Sequence, residues 1–304
     1  MASYTVFILA VGGIYALLSL SLNLVWGGVG MVNLGLAGFF AVGAYAAAMA
    51  SKWGGIPIPL ALLLALGCGA LAGLAITIST LRLRDDYLAI VTLGFAEVVR
   101  LIASNEIWLT NGTDGISGIP RPFPAPDPIT YNGYFLILIT AVVAIVFLLL
   151  RRLDRSPYGR ALRAIREDQQ VAAVAGKPVT RFKAEAFALA AAIAGLAGAL
   201  YGHLTSYVAP DLFQPLITIY IFLAVTAGGT GRPAGAVLGA YALIVFLEAT
   251  RFFAEWIPGI TPLQAAAARE ASVGLALILL LRFRPAGILP ETRAPAPRPG
   301  DQRS

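Results

Sequence analysis

Apolar runs of about twenty residues, separated by charges or turn residues, fill most of this chain, and a run of that length is what crossing a bilayer requires. Of the 304 residues 58% are hydrophobic and only 12% are charged, a balance too apolar for a soluble domain. Nine spans are expected, near 5–25, 31–50, 57–80, 87–104, 133–150, 184–203, 215–228, 234–250 and 270–282. The expected fold is therefore all-α, a polytopic membrane bundle of eight to nine transmembrane helices; eight would mean that one of the two shorter runs turns back within the bilayer. The first run has no basic flank and is long, which reads as a retained span rather than a cleaved signal.

The net charge of +6 sits entirely between Arg151 and Lys183, where nine Lys and Arg face only Asp154, Glu167 and Asp168. Short cytoplasmic loops collect basic residues, so this segment is expected inside, the N-terminus outside and the C-terminus cytoplasmic. On that count seventeen basic residues fall inside, against Lys52, Arg121, Arg251 and Arg269 outside and Arg100 within a span. The chain then divides into a transmembrane domain over 1–290, with a cytoplasmic segment at 151–183 and an outer loop at 105–133, and a disordered Pro/Arg tail at 291–304.

Within the basic segment, Ser156 and Pro157 form a helix start, the Ser as N-cap and the Pro at the first helical position. Gly176 and Pro178 close it, which predicts one amphipathic helix of about 18 residues with Arg160, Arg163 and Arg166 on one flank. Such a helix either lies on anionic lipid or docks onto a cytoplasmic partner, and Glu167 and Asp168 favour docking because anionic lipid repels them.

No phosphate-binding G-x-x-x-x-G-K-[ST] motif occurs, so the chain is not expected to hydrolyse ATP by itself. His203 is the sole histidine and Cys68 the sole cysteine, which leaves no set of metal ligands, catalytic residue or disulfide to propose. His203 is placed at a span end and Cys68 inside a span as a small packing residue. Glycines four apart, Gly69/Gly73, Gly198/Gly202 and Gly235/Gly239, predict close helix contacts. Glu97 and Arg100, three apart on the fourth span, form either a neutralising pair or part of a polar path, and Glu248 and Arg251 repeat the spacing. Asn23, Asn33 and Thr92 are polar positions suited to interhelical hydrogen bonds.

Four segments together resemble the LivM-type permease subunit of branched-chain amino acid ABC importers. They are Gly38-Phe-Phe-Ala-Val-Gly-Ala-Tyr45; Asp86 to Arg100 leading to Asn111-Gly-Thr-Asp-Gly-Ile-Ser-Gly-Ile-Pro120; Ser156 to Asp168; and Ala227 to Ala240. Arg282-Phe-Arg-Pro-Ala-Gly-Ile288 is similar to the family's last cytoplasmic turn, and the likeness runs from about residue 10 to 290. Many relatives carry a polar residue where this chain has Leu36-Ala37.

The resemblance implies a bacterial inner-membrane complex that imports branched-chain amino acids or a related small polar solute, made of this permease with a LivH-type permease, two cytoplasmic ATPases that bind ATP and Mg, and a periplasmic or extracellular solute-binding protein. Membrane lipid surrounds it, and nucleic acid is not an expected partner. It implies ATPase coupling through Ser156, Pro157, Gly159, Arg160, Arg163, Arg166 and Glu167, with the arginines and Glu167 facing the ATPase groove. It places Asn111, Gly112, Thr113, Asp114 and Gly115 at the binding protein, and Asn23, Asn33, Thr92, Glu97 and Arg100 on the translocation path. The rival readings are an ion-coupled secondary transporter with Glu97 as proton carrier, told apart by its energy source, and a channel-like subunit.

Overall fold

The computed structural model describes residues 2–80, 85–255, 261–284 and 286–290. Arg82 and Arg84, in the connection between the expected spans at 57–80 and 87–104, and the 291–304 tail lie outside the described residues. Helices α1 (Ala2–Leu22), α2 (Leu36–Lys52), α3 (Ile58–Thr80), α4 (Asp85–Asn105), α5 (Ile107–Thr110), α6 (Pro128–Arg155), α7 (Pro157–Glu167), α8 (Gln169–Val174), α9 (Val179–Thr205), α10 (Pro215–Gly228), α11 (Pro233–Glu255) and α12 (Pro262–Phe283) follow in order. A π-helical stretch, Asn23–Gly27, prolongs α1. Strands β1 (Ile116–Ser117) and β2 (Tyr207–Val208) pair antiparallel, Ile116 opposite Val208.

Among the described residues, eight helical segments are long and apolar enough to cross a membrane, and α2 is a shorter ninth. All nine expected spans fall on these segments, but several limits move. The sequence cut spans at charges, whereas helix ends follow caps. The Asp127 side chain accepts from the Thr130 N–H with Pro128 at the first position, so α6 starts before residue 133 and runs on through Arg151, Arg152 and Arg155. A capping box between Thr261 and Gln264 starts α12 at Pro262, which puts Arg269 about two turns inside the last helix rather than in an outer loop. The basic connection between membrane helices is thus 156–178.

Close packing centres on α9, whose Ala- and Gly-rich sequence buries it almost completely. A Cβ on Gly198 would lie 1.9 Å from the Phe40 carbonyl of α2, and one on Gly69 would lie 2.5 Å from the Ala191 carbonyl of α9. On the other side of the bundle, a Cβ on Gly239 of α11 would lie 1.9 Å from the Ala224 carbonyl of α10. The glycine spacings therefore mark helix contacts, where the missing side chain lets backbones touch and gain dispersion energy that lipid cannot replace. Cys68 lies half-buried on α3.

The bundle has two distinct ends. One carries 106–127, the β1–β2 pair and 206–214; the other carries α7, α8 and the 229–232 turn. At this second end Ile288 and Leu289 donate to the Ala227 and Gly228 carbonyls, folding the 286–289 exit back onto the end of α10.

Candidate functional site

The connection between α6 and α9 folds as two short helices and not as the single helix expected. The Ser156 side chain caps α7 by accepting from Gly159 N, while Pro157 takes the first position. The break comes at Asp168, whose extended backbone and side chain, accepting from Gln170 N and Val171 N at 2.8 and 3.0 Å, cap α8 afresh. Leu162 and Ile165 are buried beneath α7. Gly159 is buried against the end of α6, where a Cβ would lie 2.4 Å from the Leu153 carbonyl. Tyr158 stacks on Phe182 at 5.0 Å, and burial, reinforced by Glu185, pushes its hydroxyl up to about 12, so it stays neutral.

The three arginines of α7 divide by direction. Arg163 pairs with the Asp154 carboxylate and also donates to the Asp154 carbonyl at 3.0 Å, and Arg166 reaches the Gly27 carbonyl at the end of the π-helical stretch. Both are half-buried against their own bundle, whereas Arg160 and Glu167 face outward. The 3.6-residue period put them on one flank but could not show that this flank straddles the boundary between bundle and solvent. Beside Arg160 and Glu167, Val171 is 64% and Val174 91% exposed, giving the hairpin a mixed charged and apolar outer face.

Past Val29 the chain leaves the helix and crosses non-helical backbone at 30–35, exposed at Gly30 and buried at Met31, Asn33 and Gly35, before α2 begins. Non-helical backbone at membrane depth survives only where its polar groups find partners in the protein. Here Leu34 N donates to Thr92 Oγ1 at 3.1 Å, Gly35 N to Asn33 Oδ1 at 2.9 Å, and Ala37 N to Thr218 Oγ1 at 3.2 Å. Asn33 and Thr92 thus meet at one feature. Asn23 is separate, near the α7 end, where its Oδ1 accepts from Gly231 N at 2.8 Å. Glu97 and Arg100 pair through both carboxylate oxygens, at 2.5 and 3.0 Å, on a partly exposed face of α4. Glu248 and Arg251 are joined through the Tyr4 hydroxyl.

At the strand end, Asn111 turns the chain in the left-handed region and its side chain donates to Gly115 O at 2.9 Å. Asn111, Thr113 and Asp114 are exposed, whereas Gly112 and Gly115 are buried, Gly115 because Val208 O stands where its Cβ would be. His203 ends α9 as expected but is buried, its Nδ1 2.9 Å from the Pro120 carbonyl. A cavity of about 270 Å³ opens at this end among α1, α2, α9 and α10. Tyr15, Phe40, Tyr201 and Tyr220 line its interior, and the exposed Asp211 and Gln214 stand among its outer lining. Sequence reading missed these residues; the signal available was three tyrosines inside apolar runs, a pattern that packing alone also produces.

A family model described as branched-chain amino acid transport system / permease component matches residues 4–282. The chain belongs to this family. It is similar to the high-affinity branched-chain amino acid transport system permease protein LivM of Salmonella typhimurium, 35% identical across 92% of this chain and 68% of that protein. The probable LivM permease of Methanocaldococcus jannaschii is 28% identical over 92% of this chain and 91% of its own length. The LivH permease of Escherichia coli is 27% identical over 76% of this chain and 80% of its own. No solved structure matches. This branched-chain amino acid transport permease is a multi-pass membrane protein and a transport subunit, and the ion-coupled alternative finds no support in its relatives.

Proposed function

We propose that this permease is one of two membrane subunits of an ATP-driven importer in a bacterial inner membrane, paired with a LivH-type chain and passing branched-chain amino acids. Two cytoplasmic ATPases, holding ATP and Mg, dock on the α7–α8 hairpin; a solute-binding protein docks at the strand end around Asn111, Thr113 and Asp114. The observation that carries the reading is the hairpin itself. Its inner face is bound to α6 through Arg163 and to the α1 end through Arg166, while Arg160, Glu167, Val171 and Val174 stand free for a protein groove. A purely lipid-bound helix would place no carboxylate beside its apolar tip.

The mechanism follows from those attachments. ATPase closure displaces the hairpin, Arg166 carries the movement to Gly27, and the 30–35 segment, held to α4 through the Leu34–Thr92 bond and followed by the Ala37–Thr218 bond from α2 to α10, changes partners. The bundle then exchanges between states open to either side, biased by different contacts in each. Purification from native membranes is expected to bring down an ATPase and a second permease. The double variant Arg160→Glu, Val171→Asp should insert normally yet lose the ATPase. Isolation without any ATPase, from cells that express the candidate partners, would sink the proposal.

A further inference from the structure

The cavity at the strand end gathers phenol side chains within the helical bundle. The hydroxyls of Tyr15, Tyr201 and Tyr220 meet in one membrane-embedded space, and none has a hydrogen-bond partner among the described residues. Hydroxyls that face a cavity inside a membrane-spanning bundle are open to water or to a polar ligand. Tyr15 lies about 20 Å along α1 from its start, so the cavity reaches well into the bilayer. Arg269, two turns inside α12, has a buried Nε with no partner among the described residues and lies within electrostatic range of Tyr15 and Tyr220, as it does of Tyr4.

The remaining walls are apolar apart from Asp211 and Gln214. Phe40, Leu216 and Ile217 supply hydrocarbon surface, and Asp211 supplies a carboxylate on the outer side, with Arg100 of α4 within electrostatic reach of it. The volume equals about nine waters at ~30 Å³ each, enough for one small solute and too little for a peptide. Phenol donors in the interior with Arg269 within electrostatic range of them, a negative charge at the mouth and hydrocarbon between complement a zwitterion with an aliphatic side chain.

We infer that this cavity is a binding site for a free aliphatic α-amino acid in transit. The carboxylate goes to Tyr15 and Tyr220 with Arg269 behind them, the ammonium to Asp211 and Gln214, and the side chain to Phe40, Leu216 and Ile217. The inference rests on the importer reading and adds that the permease itself recognises the solute.

The test uses the whole complex in lipid nanodiscs without binding protein, titrated with radiolabelled L-leucine in a scintillation proximity assay. Saturable binding is expected, with isoamylamine and 4-methylpentanoate, each lacking one charge, competing roughly tenfold less well than leucine. The triple variant Tyr15→Phe, Tyr201→Phe, Tyr220→Phe should weaken leucine binding by at least about tenfold. Should that variant fail to assemble, Tyr15→Phe and Tyr220→Phe are read singly, and unchanged affinity in both overturns the site. So does absence of leucine binding, or equal competition by the two half-charged analogues, in a complex whose ATP hydrolysis still rises with loaded binding protein. In that case the importer reading survives alone. A complex whose hydrolysis ignores the binding protein fails the importer reading, and the proposed site falls with it.

Discussion

Arg163 shows why a charge at helical spacing is not yet a contact. Its guanidinium is held by the Asp154 carboxylate and carbonyl, so it ties α7 to α6 before any partner arrives. A half-exposed ion pair of this kind contributes about 1 kcal/mol or less to stability, and its value lies in direction. Reversing one charge, Arg163→Glu, should therefore cut uptake strongly in membranes that still contain the chain. Combining it with Asp154→Arg should restore much of the activity, as measured by radiolabelled amino acid uptake in cells. A direct ATPase contact by Arg163 predicts instead that the double variant is as defective as the single one. Asn111 makes the complementary point: its left-handed backbone and its bond to Gly115 shape the strand-end loop whatever its side chain later meets.

At the scale of elements, the decisive object is the interruption between α1 and α2. Three side chains from three places, Asn33, Thr92 of α4 and Thr218 of α10, each satisfy one backbone N–H at its edge. Leaving a buried N–H unpaired costs about 1–3 kcal/mol. Thr92→Val keeps the shape and removes the acceptor, so the purified chain should melt several degrees lower, by about 2–4 °C for each kcal/mol in a protein of this size. Thr92→Ser should melt close to the parent. Equal melting temperatures for all three proteins would mean that Leu34 finds another acceptor and that the side chain does not hold the break. The split of α7 from α8 at Asp168 follows the same economy, because a carboxylate that caps two N–H groups competes with continuing the helix.

For the molecule as a whole, the two ends differ in kind: one basic and hairpin-shaped, the other made of turns, a two-residue ladder and the mouth of a cavity. If the basic end is cytoplasmic, as the rule for short loops requires, a single cysteine at Asn111 in a Cys68→Ala background should react with an impermeant maleimide in intact spheroplasts. One at Val174 should react only after permeabilisation. Labelling in the reverse order would invert the assigned orientation and, with it, the sides on which ATPase and binding protein are sought.

What the sequence determined by itself was set by local and periodic information. Hydropathy places nine apolar helices, caps such as Ser156-Pro157 start them, glycines four apart mark helix contacts, and the quoted motifs lead to the family that the 4–282 match establishes. Each of these signals lies within a few turns of one helix, where a residue and its neighbours are sufficient. Only the tertiary structure decided which way Arg163 and Arg166 turn, how Asn33, Thr92 and Thr218 share the break, and that Tyr15, Tyr201 and Tyr220 line one cavity. Those depend on how α1, α9, α10 and α12 rotate against one another. Such rotations are selected by the summed close packing of backbones at Gly198, Gly69 and Gly239, a quantity distributed over the whole bundle and carried by no single segment.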